Sequence, residues 1–214
     1  MAQLLASLAI IGPRIVIPGF FISQKIKKMT DTAAIFQTIA FSTLFVTSVI
    51  IAFQGQILLS LIPGIAATAY YFMLEDPDNK ERYRYADWLI TMPLMLIAIL
   101  LANNASIPLI IGLVILDLLM FGIVYLGTQE PDRTKKLLKF AAAFLAFIPI
   151  LYFLLDQKKH TTAIYLTLAL WTLYPIVWAL EETNTQSETV VTSAFSVLDI
   201  VSKIGLVYLL SPKE

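Results

Sequence analysis

Of 214 residues, 58% are hydrophobic and only 14% charged, against about a quarter charged in an ordinary soluble domain, which places the chain in the membrane class. The formal net charge is zero and no glycine-rich phosphate loop is present, so neither nucleic acid nor a nucleotide is an expected ligand. Cysteine is absent and His160 is the one histidine, which excludes disulfides, thiolate chemistry and a multi-histidine metal site.

In chain order, residues 4–23 come first, "LLASLAIIGPRIVIPGFFIS". The stretch is apolar but broken by Pro13, Arg14 and Pro18, and "QKIKK" follows it. It has no basic start and no convincing small-residue cleavage site, so it does not read as a signal sequence. Two readings stay open: an interfacial helix with its lysines among the headgroups, or an additional span. Residues 1–30 are set apart as that segment, and residues 31–214 as the main domain. Seven stretches then have the length and apolarity of a membrane span: 33–53, 56–74, 86–102, 107–127, 137–155, 162–180 and 189–210. The breaks between them are short and polar, so neighbouring helices must run antiparallel and pack together. The expected fold is an all-α membrane protein, a seven-transmembrane-helix bundle with an extra N-terminal apolar segment.

Charge inside a span is costly and usually functional. In "SVLDIVSKIGLVYLL", Asp199 and Lys203 stand four apart and share a helix face. A lysine so deep must pair, lose its proton or be covalently modified. A purely structural ion pair is the plain alternative. In "ERYRYADWLITMPLML", Asp87 and Thr91 share a face and Arg84 lies one turn away. An arginine snorkelling at the membrane edge explains Arg84 but not why Asp87 lies deeper. In "LWTLYPIVWAL", Trp171, Tyr174, Pro175 and Trp178 form one helical stripe, with Pro175 set to bend it. Such a stripe is more often plain core than a ligand box, but Trp171 and Tyr174 lie too deep for an interfacial belt. Asp117, alone in "GLVILDLLMFG", is expected to act in its protonated form as a hydrogen-bond donor holding two helices together. Tyr70, after the Pro63 bend, is expected to face inward.

Taken together, a buried lysine, two carboxylates, an arginine and large aromatics point to an aldehyde cofactor on the lysine. Lysine forms Schiff bases with carbonyls, and a protonated Schiff base in a dry cavity needs counter-anions, which Asp87 and Asp199 can supply.

From Pro63 onward the chain resembles the microbial (type 1) rhodopsins, of the bacteriorhodopsin and proteorhodopsin kind. The resemblance rests on "RYADW" with its following threonine and "PL", on "WTLYPIVW", and on the aspartate and lysine of "LDIVSK", in that order. It implies all-trans retinal, held as a Schiff base on Lys203. It implies that Asp87 is the primary counterion and proton acceptor, Asp199 the second counterion, Arg84 the arginine toward the ion-release side and Thr91 the threonine bonded to the acceptor. Tyr70 and Tyr174 match tyrosines of the counterion network. Trp88, Trp171 and Trp178 match the tryptophans that sandwich the polyene, with Pro175 beside them. Met95 falls at a colour-tuning position, and Asp117, Met120 and Gly122 near the ring of the retinal. The implied protein is a multi-pass protein of the cell membrane and not an enzyme. Its partners would be lipid, retinal and protons. A homo-oligomer, trimer or pentamer, is implied, with a transducer protein in the sensory case.

The chain also departs from the pattern. Ala98 stands where outward pumps carry a carboxylic proton donor, and the link between the second and third spans is too short for the usual β-hairpin. Glu181, Glu182 and Glu188 fall near the proton-release region, where the match is loose. Three functions follow in order: a light-driven proton pump lacking the usual donor, a sensory photoreceptor with a slow cycle, and a light-gated channel. In the implied orientation the outer end carries Lys25, Lys27, Lys28, Lys80, Arg82, Arg133, Lys135 and Lys136, and the inner end Lys158, Lys159 and Lys213. The preference for cytoplasmic basic residues predicts the opposite orientation, and an inverted bundle with unchanged chemistry would pump inward. Binding of anionic lipid by the basic end is the plain alternative.

Overall fold

The computed structural model describes residues 31–182 and 185–212. The segment 1–30, its three lysines and Lys213 lie outside the described residues. Seven long helices follow one another: α1 (Asp31–Phe53), α2 (Ile57–Glu75), α3 (Lys80–Ala102), α4 (Ile107–Thr128), α5 (Arg133–Leu155), α6 (Thr161–Glu182) and α7 (Glu188–Leu210). All seven are long and apolar enough to span a bilayer, and among the described residues there is no strand. Helices satisfy their own backbone in lipid, which is why runs of this composition fold as helices and not as open sheet. The chain is an integral multi-pass membrane protein.

Two helices start earlier than hydropathy alone predicts, α3 at Lys80 instead of 86 and α5 at Arg133 instead of 137. The added turns, "KERYRY" and "RTKK", are charged and lower any hydropathy average, yet they continue the helix into the headgroup layer. The α2–α3 link is a single 3-10 turn, Pro77–Asn79, with no hairpin. Asp132 caps α5 by accepting from the Lys135 amide at 2.8 Å, and Ser187 caps α7. Gly55, at φ +76°, makes the tight α1–α2 turn.

Each helix packs on the next, and α7 closes the bundle against α1 and also touches α2 and α3. The α5–α6 contact is the sparse one. Lipid offers no hydrophobic drive for helix association, so close approach of small residues matters more. A Cβ on Gly205 would come within 2.7 Å of a terminal methyl of Leu166, so the leucine side chain lies close over the glycine at the α6–α7 contact. Large apolar side chains such as Ile39, Ile50, Ile111, Leu119 and Tyr208 face outward. The interior instead carries polar and charged groups, among them Arg84, Asp87, Asp117, Asp199 and Lys203.

A buried lysine cluster and an aromatic cavity

Lys203 reaches in from the middle of α7 and is completely buried. Its Nζ lies 2.6 Å from Asp87 Oδ2 on α3 and 2.9 Å from Asp199 Oδ1, one turn back on its own helix. The i,i+4 spacing places Asp199 beside the lysine, while Asp87 arrives across the bundle. Both carboxylates are as buried as the lysine.

The two carboxylates differ in their partners. Asp199 Oδ1 accepts from Lys203, from the Tyr174 hydroxyl at 2.8 Å and from Trp88 Nε1 at 3.2 Å. Its Oδ2 accepts from the Tyr70 hydroxyl at 2.8 Å, so Tyr70 does face inward. Asp87 Oδ2 accepts from Lys203, while its Oδ1 has no hydrogen-bond partner. The Thr91 hydroxyl donates to the backbone carbonyl of Asp87 at 2.9 Å and also stands against the Asp87 carboxyl. The arrangement therefore holds one aspartate with four donors and one with a free oxygen.

Arg84 is buried one turn from Asp87 but turns away from the lysine. Its guanidinium sits 3.5 Å from Glu181 and 4.3 Å from the centre of the Phe195 ring. Beyond it, Lys80 pairs with Glu188 and lies 3.4 Å from the Thr192 hydroxyl. Polar side chains thus lead from the carboxylates to the end of the bundle where α3 begins. The opposite half is largely apolar: Ala98 belongs to one buried cluster with Leu96, Ile99, Leu100 and Leu206, although Thr167 and Ser60 are buried polar side chains there.

An elongated cavity runs between α3, α4, α5 and α6 and encloses about 650 Å³ of empty space, part of it open to the outside. Its α3 wall holds Trp88 and Met92, and its α6 wall Trp171, Tyr174, Pro175 and Trp178. The α4 wall holds Asp117, Met120, Phe121 and Val124; Phe140, Ala143 and Phe147 come from α5. Trp178 stacks on Phe140, with centroids 4.0 Å apart and planes 7° from parallel. Trp88 and Tyr174 line the cavity and also bond Asp199, so the cavity adjoins the lysine cluster there.

Of the residues singled out from sequence, the cluster gathers Lys203, Asp87, Asp199, Tyr70, Tyr174 and Trp88. The cavity gathers Trp171, Pro175, Trp178, Asp117 and Met120. Met95 is fully buried in the core but does not line the cavity. Gly122 lines an adjoining groove, which shares Tyr85 and Phe121 with the cavity, while Val124 lines the cavity itself. At about 100° per residue, a step of two from Met120 turns the side chain to the far face, while a step of four returns it. Asp117 lines the cavity with neither carboxyl oxygen hydrogen-bonded, so the expected bond between two helices is not made. The α5 aromatics and Glu181 as the partner of Arg84 went unassigned from sequence. Helical phase could have found Phe140, Ala143 and Phe147, which recur at spacings of three and four.

The family model described as "Bacteriorhodopsin-like protein" matches residues 23–211. A bacteriorhodopsin-II-like protein of Haloquadratum walsbyi is 32% identical over 178 residues, covering 70% of this chain and 72% of the relative. Sensory rhodopsin-2 of Haloarcula vallismortis is 29% identical over 175 residues, covering 71% and 74%. Among solved structures, the thermophilic rhodopsin from Rubrobacter xylanophilus superposes with a TM-score of 0.77 at 27% identity, covering 83% of this chain and 94% of that one. The chain belongs to the bacteriorhodopsin-like family, the retinal-binding microbial rhodopsins of the membrane.

Proposed function

We propose that the protein is a light-driven proton pump carrying all-trans retinal on Lys203, with Asp87 as the proton acceptor. The observation that supports this most directly is the Lys203 amine held between two buried carboxylates at 2.6 and 2.9 Å. The residues fit the cofactor. The cavity walls are largely aromatic, and through Trp88 and Tyr174 it adjoins the cluster around the only fully buried lysine among the described residues. When bound through its aldehyde carbon, retinal supplies light absorption and a change of shape that alters how the lysine nitrogen holds its proton.

The protein's own groups divide the remaining work. Trp88, Trp171, Tyr174 and Trp178 wall the cofactor and keep water from it. Asp199, its oxygens already engaged by four donors, is the fixed counter-charge. Asp87, with Oδ1 free and Oδ2 on the lysine nitrogen, is the group placed to receive the proton. Arg84, Glu181, Lys80 and Glu188 give the proton a polar way out at the α3 N-terminal end. No carboxylate stands at Ala98 to resupply it, so water must enter a dry half of the bundle and the cycle is slow.

That same dry half favours a second reading, a sensor whose long-lived activated state serves a transducer, in keeping with the sensory relative. The test is bulk pH in an unbuffered suspension of cells making the protein with retinal, in alternating light and dark, with and without a protonophore. Acidification abolished by the protonophore means that the Arg84 end faces outward; alkalinisation abolished by it means the reverse. No pH change with pigment present overturns the pump in favour of the sensor.

A further inference from the structure

Among the described residues, Asp117 is the one buried carboxylate that the proposed transport chemistry leaves unused. It is 1% exposed, and both its oxygens lack a hydrogen-bond partner, although it lines the cavity. The indole Nε1 of Trp171, on the α6 wall of the same cavity, is likewise buried and unpartnered. Leaving such groups bare in an apolar interior is costly, so buried polar atoms without a partner mark a missing ligand or a bound water. The hydroxyl of Tyr174 is already committed to Asp199 and Ser202, and the Trp88 indole to Asp199. Neither can serve Asp117.

The position of Asp117 selects the kind of ligand. It sits on α4, which has no substantial contact with α7, the helix that carries Lys203. A polyene aldehyde fixed to Lys203 has its carbonyl end at the lysine cluster and its ring end toward α4 and α5. There the aromatic and methionine walls are mostly apolar; besides Asp117 and Trp171 the lining includes Tyr85, whose hydroxyl does not bond the Asp117 carboxyl. An unsubstituted hydrocarbon ring would cover the carboxyl without satisfying it. A ring hydroxyl would both donate to and accept from it.

We infer that the cavity is built for a retinal whose ring carries a hydroxyl group, with the Asp117 carboxyl as the hydrogen-bonding partner of that oxygen. This rests on the retinal reading above. The bond to the protein is the same for either ligand: the aldehyde carbon joins Lys203 Nζ and the carbonyl oxygen leaves as water.

The experiment offers the retinal-free protein a limiting, equimolar mixture of all-trans retinal and all-trans 3-hydroxyretinal, and separately the 4-hydroxy compound. The bound chromophores are then extracted and their ratio measured. At least one hydroxylated form should be enriched roughly tenfold, the worth of one buried hydrogen bond to a strong partner. Asp117→Leu should bring the ratio to near one. Infrared spectra should show the Asp117 carboxyl band displaced between the two wild-type pigments, and this readout decides the matter if the leucine variant does not assemble. A wild-type ratio near one for both compounds, an equal ratio in Asp117→Leu, or an unmoved carboxyl band overturns the inference. A water on Asp117 would produce those results. Failure of every compound to form pigment is a different outcome, because it removes the retinal reading itself.

Discussion

Replacing Asp87 by asparagine keeps the size of the side chain and removes its charge. In the wild type, the Lys203 nitrogen faces Asp87 at 2.6 Å and Asp199 at 2.9 Å. At an effective dielectric of about 20, a unit pair at either distance is worth ~6 kcal/mol, so the two carboxylates contribute nearly equally. Light absorption moves positive charge from the nitrogen along the polyene, which weakens its attraction to the carboxylates. The ground state is therefore favoured over the excited state by the fraction of charge that moves. If roughly a third leaves, each carboxylate widens the gap by ~2 kcal/mol. Asp87→Asn should shift the visible band to the red by about that energy and abolish light-driven proton movement, because a neutral amide does not take up the proton. The assay is an absorption spectrum of purified pigment beside the bulk-pH experiment. An unshifted band would show that Asp87 carries no charge next to the nitrogen, and the acceptor assignment would fall with it.

Other consequences are equally direct. Lys203→Ala should form no visible pigment with retinal, and a retained band would refute attachment at that nitrogen. Ala98→Asp places a carboxyl in the dry half of the bundle; recovery after a light flash should quicken by about tenfold or more if resupply of the proton limits the cycle, since a positioned general acid commonly contributes about 10²–10⁴-fold. An unchanged recovery rate in that variant would place the limit elsewhere. At the α4–α5 link, the ammonium of Lys139, 2.8 Å away, holds the Glu130 carboxyl below its usual range. The folded state thus binds its proton less readily than the unfolded chain, and the contribution is present above the unfolded value, about 4.3, and lost as the pH falls through the lower folded one. Glu130→Gln should therefore lower the melting temperature slightly at neutral pH and leave it unchanged in acid; an equal deficit at both would show that the charge pair is not its cause.

How much of this could be read from the chain follows from what each signal measures. Seven spans are legible because lipid leaves helical backbone as the default and demands about twenty apolar residues in a row. The lysine cluster is legible because a charge in such a run is conspicuous: Asp87, Asp199 and Lys203 stand out against their neighbours in any single sequence. The α5 wall is not, since Phe140 and Phe147 are two apolar residues among many, and only the fold says which face they turn inward. The partner of Arg84 was equally hidden. Asp87 is one turn away along the same helix and is the obvious candidate, yet the guanidinium reaches across to α6 and Glu181. The case of Gly122 and Val124 shows that helical phase must be carried through residue by residue, because an offset of two points to the opposite face.

The sparse contact between α5 and α6 has a bearing on how the molecule can diverge. Charge handling is concentrated on α2, α3, α6 and α7, whereas α4 and α5 supply the far end of the cavity and little else to the lysine. Substitutions on those two helices can reshape the space for a ligand's ring while the ion cluster keeps its geometry. Colour and ligand choice can then drift by small steps in a lineage without each step being tested against proton movement.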